Sequence, residues 1–388
     1  MRIAKRIIAA AMCAAVLAGS LIGCHKKGAT VAELKSGDKT YSVSSGVYMM
    51  ALIVADSEGR SKVNEQLKSD SKSTSDVDYA KQTIDKTPFY DWVNDRADTL
   101  INEYLYIDSE YNKAKLSMTD DETKKMETYL SYQWSLSYQY ICEPNGVSKD
   151  SYLQYQKVAV YERNALFKSI YGEGGTKEVD NETVLKSLTD NFVIANTIKV
   201  STVDKSSKAL PDEEIEKYKT QLQGYADRLN KGESFDTIYV EYNGNDDSKD
   251  SSGTADDETA KPLDKRATLY GSDKTNSSSD NFSDVSGAEV GNATVVSGEN
   301  YLLLVNRKDI LADPYYVDNY SDEALYILKN DEFSDDVTAA AKKLDIKRSS
   351  YERNYLKPKK IDYSTYQNYY QSLQSRYANQ AASTASAD

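Results

Sequence analysis

The sequence predicts a mainly α protein with an α+β insert, and three observations predict it. Between residues 84 and 190, apolar side chains recur every three or four positions, with helix-capping residues between the runs. From Asn191 the period shortens to that of a strand, and after Asp313-Pro314 it returns to that of a helix.

The elements follow in order. Val43 to Val54 is apolar enough for a first buried helix, with Tyr48, Met49, Met50 and Leu52 clustered, whereas the serine-rich stretch 57–83 reads as a loop or loose helix. Thr87 offers an N-cap and Pro88 a first helical residue whose missing N–H is not needed. Trp92, Val93, Ala97, Leu100, Ile101, Tyr104, Leu105 and Ile107 then form one stripe. Thr119 and Glu122 make a capping box before Met126, Tyr129, Leu130, Trp134, Leu136 and Tyr138. Pro144-Asn145-Gly146 breaks that helix. Val147 and Tyr152 flank Ser148 at staple spacing, and a helix restarts there, runs through Leu166 and Phe167, and stops at Gly172–Gly175. Asp180 opens one more, through Val184 and Leu188.

Val193 to Val200 is β-rich and alternates after Ala195, as a strand with one covered face does. Pro211 starts a helix carrying Ile215, Tyr218, Leu222, Tyr225, Ala226 and Leu229, closed by Lys231-Gly232. Phe235, Ile238 and Tyr239 mark a shorter helix. Residues 243–261 and 271–281 are polar and read as loops. Ala293–Val296 and Tyr301–Val305 form a hairpin over Ser297-Gly298-Glu299-Asn300. Ala324 to Leu344 is helical, and so is 363–378, with Tyr363, Tyr366, Tyr369, Tyr370 and Tyr377; the Ala/Ser-rich end beyond frays.

The first residues carry a different message. Arg2, Lys5 and Arg6 precede an apolar run from Ile7 to Leu17, and small residues lead out of it, which is the build of a secretory signal. The ending Leu21-Ile22-Gly23-Cys24 resembles the lipobox of bacterial lipoproteins. That resemblance implies cleavage before Cys24 and lipid attachment to it, with two acyl chains anchoring the chain to a cell membrane on its extracytoplasmic face. Removing 23 of the 388 residues leaves 365, enough for two or three domains. Loss of three positive charges takes the net charge from −13 to −16. So acidic a body disfavours nucleic acid as a partner. Cys142 is then the one cysteine that is neither removed nor lipidated, so no intrachain disulfide framework forms. Tyrosine is abundant, 32 against 6 Phe and 2 Trp. It either replaces phenylalanine at half-buried helix positions or lines a surface for unfolded polypeptide.

The order of helices, small α+β insert and helices, with the lipobox, resembles the foldase lipoproteins of the PrsA type and their relative SurA. In that family the two ends of the chain build one helical chaperone domain around a parvulin-type (PpiC-type) peptidyl-prolyl isomerase domain. The stretches that carry the resemblance are Ala195–Val200 for the opening strand, Leu229-Asn230-Lys231-Gly232-Glu233-Ser234-Phe235 after the first helix, and then Phe282-Ser283, Val290-Gly291 and Tyr301-Leu302-Leu303. The resemblance implies a signal peptide at 1–23, a tether at 24–40, an N-terminal chaperone segment at 41–190, a degenerate parvulin-like domain at 191–312, and a completing helical segment at 313–388. It implies unfolded or newly secreted polypeptides as partners and no cofactor. Tyr104, Tyr132, Trp134 and Tyr138 are expected, from their place on the stripes, to line the client-binding surface. Both family histidines are absent, with Thr197 and Leu302 at their positions, and the Gly-Gly-x-Leu-Gly stretch gives way to acidic 243–261. Isomerisation needs no proton transfer, but it needs a pocket that grips the prolyl ring, so weak or absent activity is expected.

Other chemistry is largely excluded. The sole histidine, His25, lies in the tether, which rules out a Ser/His/Asp triad, a Cys/His pair and a histidine-ligated zinc site. Cys142 has no neighbouring cation to activate it. Asn243, Asn245, Asp247 and Asp250 lack the glycine and closing glutamate of a calcium loop. Two alternatives stay open: an active parvulin-type isomerase, differing only in the pocket, and a solute-binding lipoprotein, which predicts strands alternating with helices in two lobes.

Overall fold

The computed structural model describes residues 28–243 and 262–385. Cys24, His25, the signal peptide and most of the 243–261 segment lie outside the described residues. The first elements are β1 (Thr30–Ser36), β2 (Lys39–Ser44), α1 (Ser45–Ser69), the short pair β3 (Thr83–Ile84) and β4 (Thr87–Pro88), α2 (Phe89–Lys113), α3 (Asp120–Gln133), α4 (Gln139–Cys142) and α5 (Lys149–Gln156). Then come α6 (Arg163–Tyr171), α7 (Asn181–Asn191), β5 (Phe192–Ser201), α8 (Asp212–Asn230), α9 (Phe235–Asn243), β6 (Thr268–Gly271) and α10 (Phe282–Ser286). The chain closes with β7 (Thr294–Ser297), β8 (Tyr301–Lys308), α11 (Pro314–Ala341), β9 (Ile346–Arg348), α12 (Ser350–Tyr355) and α13 (Ser364–Ala385). The fold is mainly α with α+β elements, as the sequence predicts. Among the described residues no helix is long and apolar enough to cross a membrane.

The chain divides into two compact units. The first holds residues up to Leu105, Met118–Lys157 and Leu344 onward; the second holds Tyr106–Ser117 and Val158–Lys343. These borders differ from the expected ones at 190/191 and 312/313. The reason is packing: α7 and α11 lie on each other, with the Ser187 hydroxyl donating to the Ala324 carbonyl at 3.0 Å. Tyr320 of α11 also packs, tilted, against Phe192 at the start of β5. Both helices therefore belong with the sheet.

In the first unit, β1 sits between β2 and β9, all antiparallel, so Ala32 pairs with Val43 on one side and Arg348 on the other. Residues 30–36, expected as tether, are a strand because Gly37-Asp38 closes a two-residue hairpin, with Gly37 left-handed at φ 58°, and Val31, Ala32 and Leu34 are buried. Of the stretch 57–83, expected as a loop or loose helix, the part up to Ser69 is helical, as α1 continues that far. Thr87 and Pro88 form β4 rather than a helix start; Asp85 and Lys86 both take positive φ (49° and 68°), the geometry of a tight hairpin turn. Gly59 lets α1 approach α2, because a Cβ there would meet Phe89 at 3.0 Å and Trp92 at 3.2 Å. The core holds Met50, Leu52, Phe89, Ile101, Leu105 and Tyr152.

The second unit is built on an antiparallel sheet of order β6-β5-β8-β7. One face packs Ile198, Val200, Leu302 and Leu304 against Leu222, Tyr225 and Ala226 of α8 and Phe235 and Ile238 of α9. The other packs Val193, Ala195, Tyr270, Leu303 and Val305 against Val285 of α10 and Ala288. Phe167, Tyr171 and Phe333 make a separate aromatic group, with ring centroids 5.2 to 6.4 Å apart.

Candidate functional site

The candidate site is a tyrosine-rich strip on the first unit, and it arises from helix phase. The capping box forms as expected: Thr119 Oγ1 accepts from the Glu122 N–H at 3.2 Å, and the Glu122 carboxylate accepts from the Thr119 N–H at 2.7 Å. From that start, Met126, Leu130 and Trp134 recur every four residues and are buried. Tyr129, Tyr132 and Leu136 fall outside that row and are 55, 60 and 45% exposed. Residues Trp134–Tyr138 form a π turn, where Ser135 Oγ donates to the Ser131 and Tyr132 carbonyls. The extra residue of that turn advances the row, which carries Tyr138 to within 4.8 Å of the Tyr152 ring.

The other half of the strip comes from α13. Tyr369 stacks on Tyr140 with centroids 3.8 Å apart, and its hydroxyl donates to the Leu136 carbonyl at 2.7 Å. Tyr366 and Tyr370 stack at 6.3 Å, and Tyr370 is 53% exposed. Burial pushes the Tyr138 phenol above its ordinary range, with Cys142, Tyr129 and Tyr366 adding to the effect.

A polar latch, exposed at Asp362 and buried at Asp56, holds α13 in place. Asp362 and Asn145 exchange hydrogen bonds at 2.8 and 2.9 Å. Tyr363 donates to Asp56 Oδ2 at 2.5 Å, as does Arg60. Arg60 lies over the rings of Tyr79 (4.2 Å) and Tyr363 (4.6 Å). Asp56 is fully buried, and its other oxygen has no hydrogen-bond partner among the described residues.

The expected client-binding residues divide. Tyr132 lies on the strip, and half-buried Tyr138 underlies it. Tyr104 and Trp134 are core: Tyr104 is 3% exposed and stacks on Tyr155 at 6.1 Å, and Trp134 is 6% exposed. Selecting residues from the apolar stripe selects what faces inward, so these two cannot offer a surface. Tyr129, Leu136 and Tyr370, which sequence reading passed over, are the exposed ones; their signal was a large apolar side chain out of phase with the buried row.

Thr197 and Leu302 do not come together. In the β5–β8 register, Thr197 faces Val305 and Val200 faces Leu302, which puts the two on opposite faces of the sheet. Thr197 Oγ1 meets the Tyr270 hydroxyl at 2.7 Å, while Leu302 is buried beneath α8 and α9. Further along the same sheet face, opposite Ser201, Tyr301 hydrogen-bonds Asp284, and Lys199 lies 3.9 Å over its ring. The Asp284 contact, then burial, pushes the Tyr301 phenol up to about 12. Cys142 is buried, its Sγ 3.8 Å from Met50 Sδ, and burial raises its thiol to about 12, which leaves it protonated and inert.

No protein-family model matches this chain, and no curated protein does. Among solved structures it is similar to the foldase protein PrsA from Streptococcus pneumoniae str. Canada MDR_19A, at 10% identity and a TM-score of 0.34, covering 74% of this chain and 97% of that one. It is also similar to PrsA from Bacillus subtilis, at 15% identity and a TM-score of 0.30, covering 69% and 92%.

Proposed function

We propose that this chain is a lipid-anchored extracytoplasmic chaperone that transiently buries apolar and aromatic segments of unfolded exported polypeptides, with weak or no prolyl isomerase activity. The observation that carries the reading is the joint exposure of Tyr129, Tyr132, Leu136 and Tyr370 on one unit. Large apolar side chains grouped at a surface mark a binding site more often than chance. Tyrosine suits segments of many sequences, since it offers a broad ring at low entropic cost and a hydroxyl that stays wet. The anchor rests on Leu21–Cys24, read from the sequence alone.

Two observations support weak or absent isomerisation. Thr197 and Leu302 face opposite ways, and Thr197 is paired with the Tyr270 hydroxyl while Leu302 is buried beneath α8 and α9, so the two do not line one pocket. The solute-binding reading predicts parallel strands alternating with helices, whereas among the described residues the strand pairs β5–β6, β5–β8 and β7–β8 of the second unit are antiparallel.

The test uses the chain from His25 onward, which retains every described residue. Offered an aggregating unfolded protein, it suppresses light scattering at near-stoichiometric ratio, and offered a proline peptide it leaves the isomerisation rate near the uncatalysed one. Undiminished aggregation overturns the chaperone reading, and strong acceleration overturns the isomerase part. Cys24→Ser moves the protein from the membrane to the soluble fraction if the anchor is as proposed.

A further inference from the structure

We infer that a cleft in the first unit, separate in its residues from the tyrosine strip, binds a short peptide through its free ammonium and carboxylate ends. The cleft has a volume of about 610 Å³, inside the roughly 300–1,000 Å³ common for small-ligand sites. One wall is the start of α2, where Asp91 and Asp95 stand four residues apart on one side of the helix. The opposite wall is the segment Leu356–Lys359, which brings Lys357 and Lys359. Pro358 between them is buried and begins a tight turn, so the two lysines leave a fixed backbone.

The two walls carry opposite charge, yet among the described residues no ion pair closes across the cleft. Asp98, the next acid along α2, is already engaged: it accepts from the Tyr48 hydroxyl at 2.9 Å and from Arg348 at 2.7 Å, and Arg348 also donates to Asn102. With Asp98 so engaged, Asp91, Asp95, Lys357 and Lys359 are the charged lining residues left for a ligand. An anion would be drawn to the lysines but repelled by the aspartates, and a cation the reverse. A ligand with both charges, separated, satisfies both walls, and the Tyr90 side chain in the lining offers its ring to what lies between them. A peptide with both ends free has that chemistry.

The experiment is calorimetric titration of the chain from His25 onward with the tripeptide Ala-Tyr-Ala in four forms: free, N-acetylated, C-amidated and doubly capped. Saturable one-to-one binding of the free form is expected, weakened by about tenfold or more by each cap, as loss of a charge-assisted contact predicts. Asp91→Asn with Asp95→Asn should abolish the difference between free and acetylated forms, and Lys357→Gln with Lys359→Gln that between free and amidated forms. No saturable heat with the free tripeptide at millimolar concentration overturns the inference. So does equal binding of capped and free forms, or cap discrimination that survives in variants with the circular dichroism of the parent chain.

Discussion

Two helices of this molecule carry tyrosines at the same helical spacing and put them to opposite ends. On α11, in the second unit, Tyr316 and Tyr320 stack at 6.1 Å, Tyr320 lies against Phe192, and Tyr316 is 3% exposed. Burial first, and then Asp313, pushes the Tyr316 phenol well above its ordinary range. On α13, in the first unit, Tyr366 and Tyr370 stack at 6.3 Å, but Tyr370 is half exposed. Tyrosine spacing alone does not say which stripe is covered. What decides is the facing element: Phe192 covers Tyr320 and the Ala267 carbonyl accepts from the Tyr316 hydroxyl, while α13 meets α4 through Tyr369 and leaves Tyr370 half exposed.

That contrast can be broken from the buried side first. Phe333→Ala removes a ring 2% exposed that touches Phe167 and Tyr171, and it should cost about 3–5 kcal/mol in chemical denaturation of the second unit. A loss near zero would mean that the aromatic group is not a core. Tyr363→Phe comes next. It strips a donor from fully buried Asp56, and about 1–3 kcal/mol of stability should go, with faster amide exchange in 362–376. Unchanged exchange there would show that α13 does not depend on its latch.

Smaller effects sharpen the same picture. Cys142, its thiol raised to about 12, should resist thiol reagents near neutral pH until the chain unfolds; prompt labelling of the native protein would place it outside the core. At the exposed end, Lys329 first and then Lys177 hold the Glu332 carboxyl down to about 2. Because that pKa is depressed in the folded state, its contribution to stability is present above the ordinary glutamate range and is lost as pH falls toward about 2. The group is solvent-exposed, so the effect is slight, and Glu332→Gln should flatten the acid limb of a stability–pH curve by a small amount. A steeper limb in the variant would contradict the sign.

Much of the fold was legible because local chemistry and packing agreed. The capping box at Thr119 and Glu122, the N-caps at Ser148 and Asp180, and the β7–β8 hairpin over Ser297–Asn300 stand where the sequence puts them. What escaped was non-local. β1 and β9 lie more than 300 residues apart, so neither short strand can be told from a linker by its own residues. The π turns at Trp134–Tyr138 and Lys157–Glu162 leave no trace in a 3.6-residue period, and α13 continues to Ala385 through a stretch read as frayed. The site was legible in residue type but not in position. The excess of tyrosine left two readings open, half-buried helix positions or an exposed surface, and the stripe rule pointed to Tyr104 and Trp134, which face inward. Likewise the order of short family-like stretches could be read, but only strand register shows Thr197 and Leu302 on opposite faces.

The most direct test is to replace Tyr129, Tyr132 and Tyr370 together by serine and measure aggregation suppression beside the unfolding midpoint. Exposed positions of this kind shift stability by about 0.5 kcal/mol or less each. The account predicts that protection of the unfolded client falls away while the midpoint hardly moves. A triple variant that protects as well as the parent chain would contradict it.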